Sequence, residues 1–378
     1  MNEKAPIIYF KNLDCLRAIA ALMVIFRHIG SWLKFPDTPF YLKLQQCLTL
    51  NDYGGRFGVY LFFVISGFLI TYLMFLEQGA TNTFNIKNFY IRRILRIWPL
   101  YFMVLLVGFA IYPFIINKCM HENYMEKASL LMYSTFLTNY DNIRYITPNG
   151  ILGVQWSVAV EEQFYLIWPI IFIFFAKKNF PVTLIAITVF SELFYMMHLN
   201  QFRRQYFDTL GIMRYLSFGA LLAWACYNKP DAIKAFFDKI HPVLMAAIYL
   251  FAAISPFVVK ILIGDSGTNN FFNSIIPMFF FGFIIVEQNY SRRSFYKFGK
   301  IKLLNWLGKI SYGLYLTHMI AIYIVNFLFS GACLYKYMAL QILLVFVLTI
   351  VISYISYTYV EKYFLALKDK FKYVNNTI

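Results

Sequence analysis

Residues 13–30 read LDCLRAIAALMVIFRHIG. The composition is that of a membrane helix, yet Asp14, Arg17, Arg27 and His28 stand in it. Ionisable groups at bilayer depth are costly, and they commonly face a protein interior or a wet cavity. Arg17 and His28 are eleven residues apart. That is close to three turns at about 3.6 residues per turn, so both lie on one helix face. A rise of about 1.5 Å per residue separates them by roughly 16 Å along the axis, near half the hydrocarbon thickness. Ala21 and Val24 lie between them on that face, flanked by Ala18 and Ala20. Small side chains there let a neighbouring helix or a thin ligand come close. The stretch reads as one wall of a polar shaft. Its plainer alternative has Arg17 snorkelling to one interface and His28 capping the other end.

The surrounding chain decides the class. Of 378 residues, 60% are hydrophobic and 21% aromatic, and only 14% are charged. A soluble domain carries about 25% charged residues. The chain therefore reads as an all-α, polytopic membrane protein. Apolar runs of spanning length fall near 13–30, 57–76, 97–117, 163–176, 180–198, 211–227, 242–260, 272–288, 308–330 and 336–359, which predicts about ten transmembrane helices. The fourth is short unless 150–162 extends it.

The net charge of +16 is spread in short Lys/Arg clusters between these runs. That pattern fits contact with anionic lipid rather than nucleic acid. With the N-terminus inside, the inner segments hold roughly twenty Lys/Arg and the outer ones about eleven, so both termini are expected in the cytoplasm. The strongest inner clusters are 87–96, Lys177-Lys178 and 292–302. The polar start, MNEKAPIIYFKN, is followed by no small-residue cleavage site, so the first helix is expected to remain as an anchor. Cys15, Cys47, Cys119, Cys226 and Cys333 make no CxxC pair and no zinc spacing, so no metal is expected. Cys47, Cys119 and Cys333 fall on the outer side and leave room for one disulfide. The longest loop, about 118–160, holds His121, Asp141, Arg144 and Pro148 and is expected outside.

Several stretches carry chemistry. In GVYLFFVISGFLIT (58–71), Ser66-Gly67 suits close helix packing. In NFYIRRILRIWPLYF (88–102), Arg92, Arg93 and Arg96 are helical neighbours whose guanidinium forks suit phosphate. Inner-face arginines also satisfy the positive-inside tendency with no further purpose. In LGVQWSVAVEEQFYLIWP (152–169), Glu161 and Glu162 sit at the mouth of an apolar helix. Adjacent residues point about 100° apart, so at most one faces a given site squarely. Glu161 shares a face with Tyr165 and Ser157, and it could orient His28 as a triad acid does, or cap a helix N-terminus. Trp156, Ser157, Glu162 and Tyr165 are candidate substrate contacts, as are Ser311, Tyr315 and His318 on one face of NWLGKISYGLYLTH (305–318). Interhelical hydrogen bonding explains that second stripe equally well. YTYVEKYF (357–364) places Glu361 near the inner interface. No GxSxG, HExxH, P-loop or GxGxxG occurs, so hydrolase, zinc and nucleotide-motor readings lack their usual support.

Taken together these stretches resemble the acyltransferase-3 family of integral membrane acyltransferases, which modify surface polysaccharides and related glycoconjugates. The resemblance rests on Arg17 and His28, VYLFFVISGFLI, the arginine run closed by Pro99 and Tyr101, WSVAVEEQFYL, LGKISYGLYLTH and VEKYF, in order over nearly the whole chain. It implies a ten-helix core, a bacterial inner-membrane location, and acetyl-CoA or another short acyl-CoA as co-substrate. Some relatives carry a fused extracytoplasmic domain. This chain is expected to be a single transmembrane domain over 1–378, transferring directly or handing on to a separate extracytoplasmic partner.

The resemblance further implies that Arg92, Arg93 and Arg96 meet the CoA phosphates, that the pantetheine arm passes Arg17, and that His28 serves as general base or transient acyl carrier with Glu161 in support. The acceptor is expected to be a glycan hydroxyl, such as lipopolysaccharide O-antigen or exopolysaccharide. Peptidoglycan, capsule and small glycosides fit too. A transporter or flippase of a lipid-linked sugar is the rival class, and a non-catalytic scaffold the third.

Overall fold

The computed structural model describes residues 9–33, 39–49, 53–119, 121, 123–144, 148–176, 179–263, 267–329 and 337–372. All regular structure among them is helical. In chain order the helices are α1 (Lys11–Trp32), α2 (Pro39–Thr49), α3 (Tyr53–Thr81), α4 (Ile86–Cys119), α5 (Leu130–Ser134), α6 (Thr138–Arg144), α7 (Gly150–Phe175), α8 (Phe180–Met197), α9 (Phe202–Phe207), α10 (Thr209–Asn228), α11 (Pro230–Lys239), α12 (Pro242–Ile263), α13 (Gly267–Tyr290), α14 (Lys302–Lys309), α15 (Ser311–Leu328) and α16 (Met338–Asp369). Each of the ten apolar runs read from the sequence has a helix at its centre. Residues 150–162 do extend the fourth run, as one 26-residue span.

Among the described residues eight helices are long and apolar enough to cross a membrane, or nine if α11 and α12, bent by 94° at their junction, make one span. The chain is a multi-pass membrane protein. Helix α1, which carries Lys11, Asp14, Arg17, Arg27 and His28, is not among the eight. Cys47 and Cys119 are free and exposed, so they make no disulfide with each other. Cys333 and the Lys177-Lys178 cluster lie outside the described residues.

The chain forms two compact units, and α1, α3 and α7 run from one into the other. The first comprises residues 1–20, 57–85 and 166–309. In it α3 meets α10 backbone to backbone. A Cβ on Gly67 would strike the Leu216 carbonyl, and one on Gly219 would strike that of Val64. The Ser66-Gly67 pair is thus a packing device, because only glycine allows the axes so close. Tyr60 and Tyr215 stack across this contact at 4.2 Å between ring centroids. Arg214 of α10 is fully buried beside Glu192 of α8.

The second unit comprises residues 21–56, 86–165 and 310–378. Here α15 lies along α16, joined by the Thr317 and Ser353 hydroxyls at 3.0 Å. Helix α4 passes through a π turn at Val107–Ile111. Such turns interrupt the regular backbone pairing and often sit near functional sites. The Gly108 carbonyl in this turn accepts from Asn149 Nδ2 at 3.1 Å, which anchors the start of α7. The long loop is organised by short helices rather than open. Its Asp141 is buried and accepts from the Ser129 amide at 2.9 Å. The Tyr124 hydroxyl donates to Glu126 at 2.6 Å. Burial, and then this carboxylate, push that phenol above its ordinary range.

Candidate functional site

Apart from Asp14 and Arg17, the polar groups that the sequence singled out lie in the second unit. His28 closes the last turns of α1, and His318 lies mid-way along α15, fully buried. Their rings stack at 24° with centroids 4.9 Å apart, and His28 Nδ1 is 2.8 Å from His318 Nε2. His318 Nδ1 in turn lies 2.7 Å from the Tyr315 carbonyl and 3.3 Å from that of Leu314.

One turn below, the Tyr315 hydroxyl meets the Ser157 hydroxyl at 2.6 Å and donates to the Val154 carbonyl at 3.2 Å. Ser157, Tyr315, His318 and His28 therefore form one chain of polar contacts linking α7, α15 and α1. Trp156 and Ser311 are buried near the starts of their helices. The partner of His28 differs from the expected one. His28 pairs with His318, whereas the Glu161 carboxylate accepts from the Tyr165 hydroxyl at 3.1 Å. A residue four positions on occupies this acid because helical geometry puts Tyr165 directly over it.

A second cluster lies on α4. Arg93 is flanked by the Phe89 and Tyr165 rings, its guanidinium carbon 5.6 and 5.9 Å from their centroids. Its Nε is buried and has no hydrogen-bond partner among the described residues. Arg92 Nη1 donates to the Phe371 carbonyl at 2.8 Å, just beyond α16. Arg93 and Arg96 lie within electrostatic reach of Lys368, and Arg96 within reach of Glu361. Glu361 is buried and accepts from the Ser356 hydroxyl at 3.2 Å. Glu162 Oε2 accepts from Trp98 Nε1 at 3.0 Å, while its other oxygen is buried without a hydrogen-bond partner among the described residues. Four cations on two helices, one with an orphaned donor, make a site suited to an anion such as phosphate.

Arg17 belongs to the first unit, where Nη1 lies 3.4 Å from Asp14 Oδ1. Asp14 also accepts from the Tyr9 hydroxyl. Arg17 and His28 do share one uninterrupted helix. Among the described residues no group of three or more His, Cys, Asp or Glu could hold a metal. Sequence reasoning missed the pairing of the two histidines and the contribution of Lys368. The polar stripe on α15 was the available signal for the first, and the basic run after Glu361 for the second.

The profile of the acyltransferase domain matches residues 10–358, nearly the whole chain. The chain belongs to the acyltransferase-3 family. It is similar to the peptidoglycan O-acetyltransferase OatA of Listeria monocytogenes, with 28% identity over 82% of this chain and 49% of the relative. It is also similar to the O-acetyltransferase OatA of Staphylococcus aureus NCTC 8325, with 28% identity over 93% of this chain and 57% of the relative. The chain thus spans about half the length of these curated relatives. No solved structure matches it.

Proposed function

We propose that this chain transfers an acyl group, acetyl by preference, from acyl-CoA to a hydroxyl of a cell-surface polymer, with His28 as general base. The observation that carries this reading is the imidazole of His28, held by a second ring within the matched domain. A sugar hydroxyl is a weak nucleophile and needs a base within hydrogen-bond reach. His28 takes the proton as the hydroxyl oxygen attacks the thioester carbonyl. The carbon–sulfur bond then breaks, and the thiolate of CoA leaves with the proton from the imidazolium. An ester and free CoA result.

The cluster of Arg92, Arg93, Arg96 and Lys368 is the proposed seat of the CoA phosphates, supported by the orphaned buried Nε of Arg93. With the amino terminus in the cytoplasm, this seat faces the acyl-CoA pool of a bacterial inner membrane. Ser157 and Tyr315 are the proposed acceptor side. Both relatives bear the name O-acetyltransferase, and one name specifies peptidoglycan, which favours that polymer over O-antigen or exopolysaccharide.

The test compares cell-wall and surface glycans from cells with the intact protein, without it, and with His28→Ala at equal membrane abundance. The expected result is alkali-labile acetate only with the intact protein. Undiminished acetate with His28→Ala overturns the reading.

A further inference from the structure

We propose that His318 is the positioning residue for His28, accepting its Nδ1 proton and so leaving the basic lone pair of His28 on Nε2. This rests on the reading of His28 as base. The hydrogen-bond chain fixes the direction. A carbonyl oxygen only accepts, so His318 Nδ1, 2.7 Å from the Tyr315 carbonyl and 3.3 Å from that of Leu314, must carry the hydrogen. A neutral imidazole bears one N–H, so His318 Nε2 is then an acceptor. The 2.8 Å contact with His28 Nδ1 is a hydrogen bond only if His28 donates. The group that faces Nδ1 of His28 thus calls for N–H there.

This arrangement replaces the carboxylate of a hydrolytic triad with a neutral ring. A triad acid fixes the tautomer of its histidine and stabilises the imidazolium. His318 does the first outright and the second through a stronger hydrogen bond when His28 is charged, without a second charge inside the membrane. His318 is itself locked, since α15 grips Nδ1 through its own backbone. Behind it, the bonds of Tyr315 to Ser157 and to the Val154 carbonyl pin that turn of α15 to α7.

The chain has five histidines, so protein labelled with 15N in histidine alone gives a spectrum simple enough to assign by substitution. In lipid bilayers, solid-state NMR is expected to show protonated Nδ1 on His28 coupled across the hydrogen bond to unprotonated Nε2 of His318. Protonated Nε2 on either ring in the resting protein overturns the proposal, whatever the enzyme does.

Kinetics supply the second arm, with acetyl-CoA as donor and a soluble peptidoglycan oligosaccharide as acceptor. His318→Leu is expected to lower kcat about 100-fold with the KM for acetyl-CoA unchanged, within the range for a misdirected base. His318→Gln, whose amide oxygen can accept, is expected to stay within about tenfold of the parent. Equal losses in the Leu and Gln variants, or a parental kcat in the Leu variant, contradict it. Full transfer in His28→Ala sinks the role of His28 while leaving the NMR result to stand or fall alone.

Discussion

Two arginines, fully buried Arg214 in the first unit and half-buried Arg93 in the second, show what separates scaffold from candidate site. Arg214 in the first unit has its counter-ion in place, though its Nε, like that of Arg93, makes no hydrogen bond among the described residues. Its Nη1 donates to the Gly211 carbonyl at 2.6 Å and its Nη2 to the Tyr215 hydroxyl at 3.3 Å. The guanidinium carbon lies 3.7 Å from the Tyr195 ring centroid, and Nε is 3.4 Å from Glu192 Oε2. Arg93 in the second unit has two aromatic faces, cations and the Glu162 carboxylate within electrostatic reach, and a buried Nε with no hydrogen-bond partner among the described residues. A buried charge with its counter-ion in place ties helices together. A half-buried charge crowded by other cations is suited to receive an anion.

The largest effect is expected from Arg214→Met, which strands Glu192. Removing one partner of a buried pair costs about 3–5 kcal/mol. The thermal unfolding midpoint in detergent should fall by several degrees, or the protein should not accumulate. Restoring the balance with Glu192→Gln in the same chain should recover part of the loss. If Arg214→Met is as stable as the parent, the scaffold half of the comparison is broken.

Arg93→Gln should act in the opposite sense, leaving the midpoint near that of the parent while raising the KM for acetyl-CoA about tenfold, the loss of one charge-assisted hydrogen bond. An Arg93→Gln protein that unfolds like the Arg214 variant would show the two arginines to be alike. The smallest effect is expected from Arg92→Gln, about threefold in KM, because part of its donor set is engaged with the Phe371 carbonyl and the rest is screened.

Much of the scaffold was legible in the sequence because it follows from run length and local period. Apolar runs marked the helices, and Ser66-Gly67 marked a close crossing. The joining of residues 150–162 to the fourth span followed from the length a bilayer requires. The contacts at the candidate site were legible only as types. His28 and His318 are 290 positions apart, and no local pattern says which two stripes will meet. Choosing between Glu161 and Glu162 was beyond spacing as well, since adjacent helical positions diverge by about 100° and tertiary packing assigns the faces. Glu162 turns to Trp98 and Glu161 to Tyr165. The short helices of the 118–160 loop escaped notice because five to seven residues are too few to show a period.

The most direct measurement follows both products at once. Membranes holding the protein are given acetyl-CoA labelled in the acetyl group together with a peptidoglycan oligosaccharide, and ester on the glycan and free CoA are counted over time. The account predicts equal yields from the parent and a loss of at least about 100-fold with His28→Ala at equal protein. Labelled ester at the parental rate from the His28→Ala protein, or no dependence of the ester on acetyl-CoA, would contradict it.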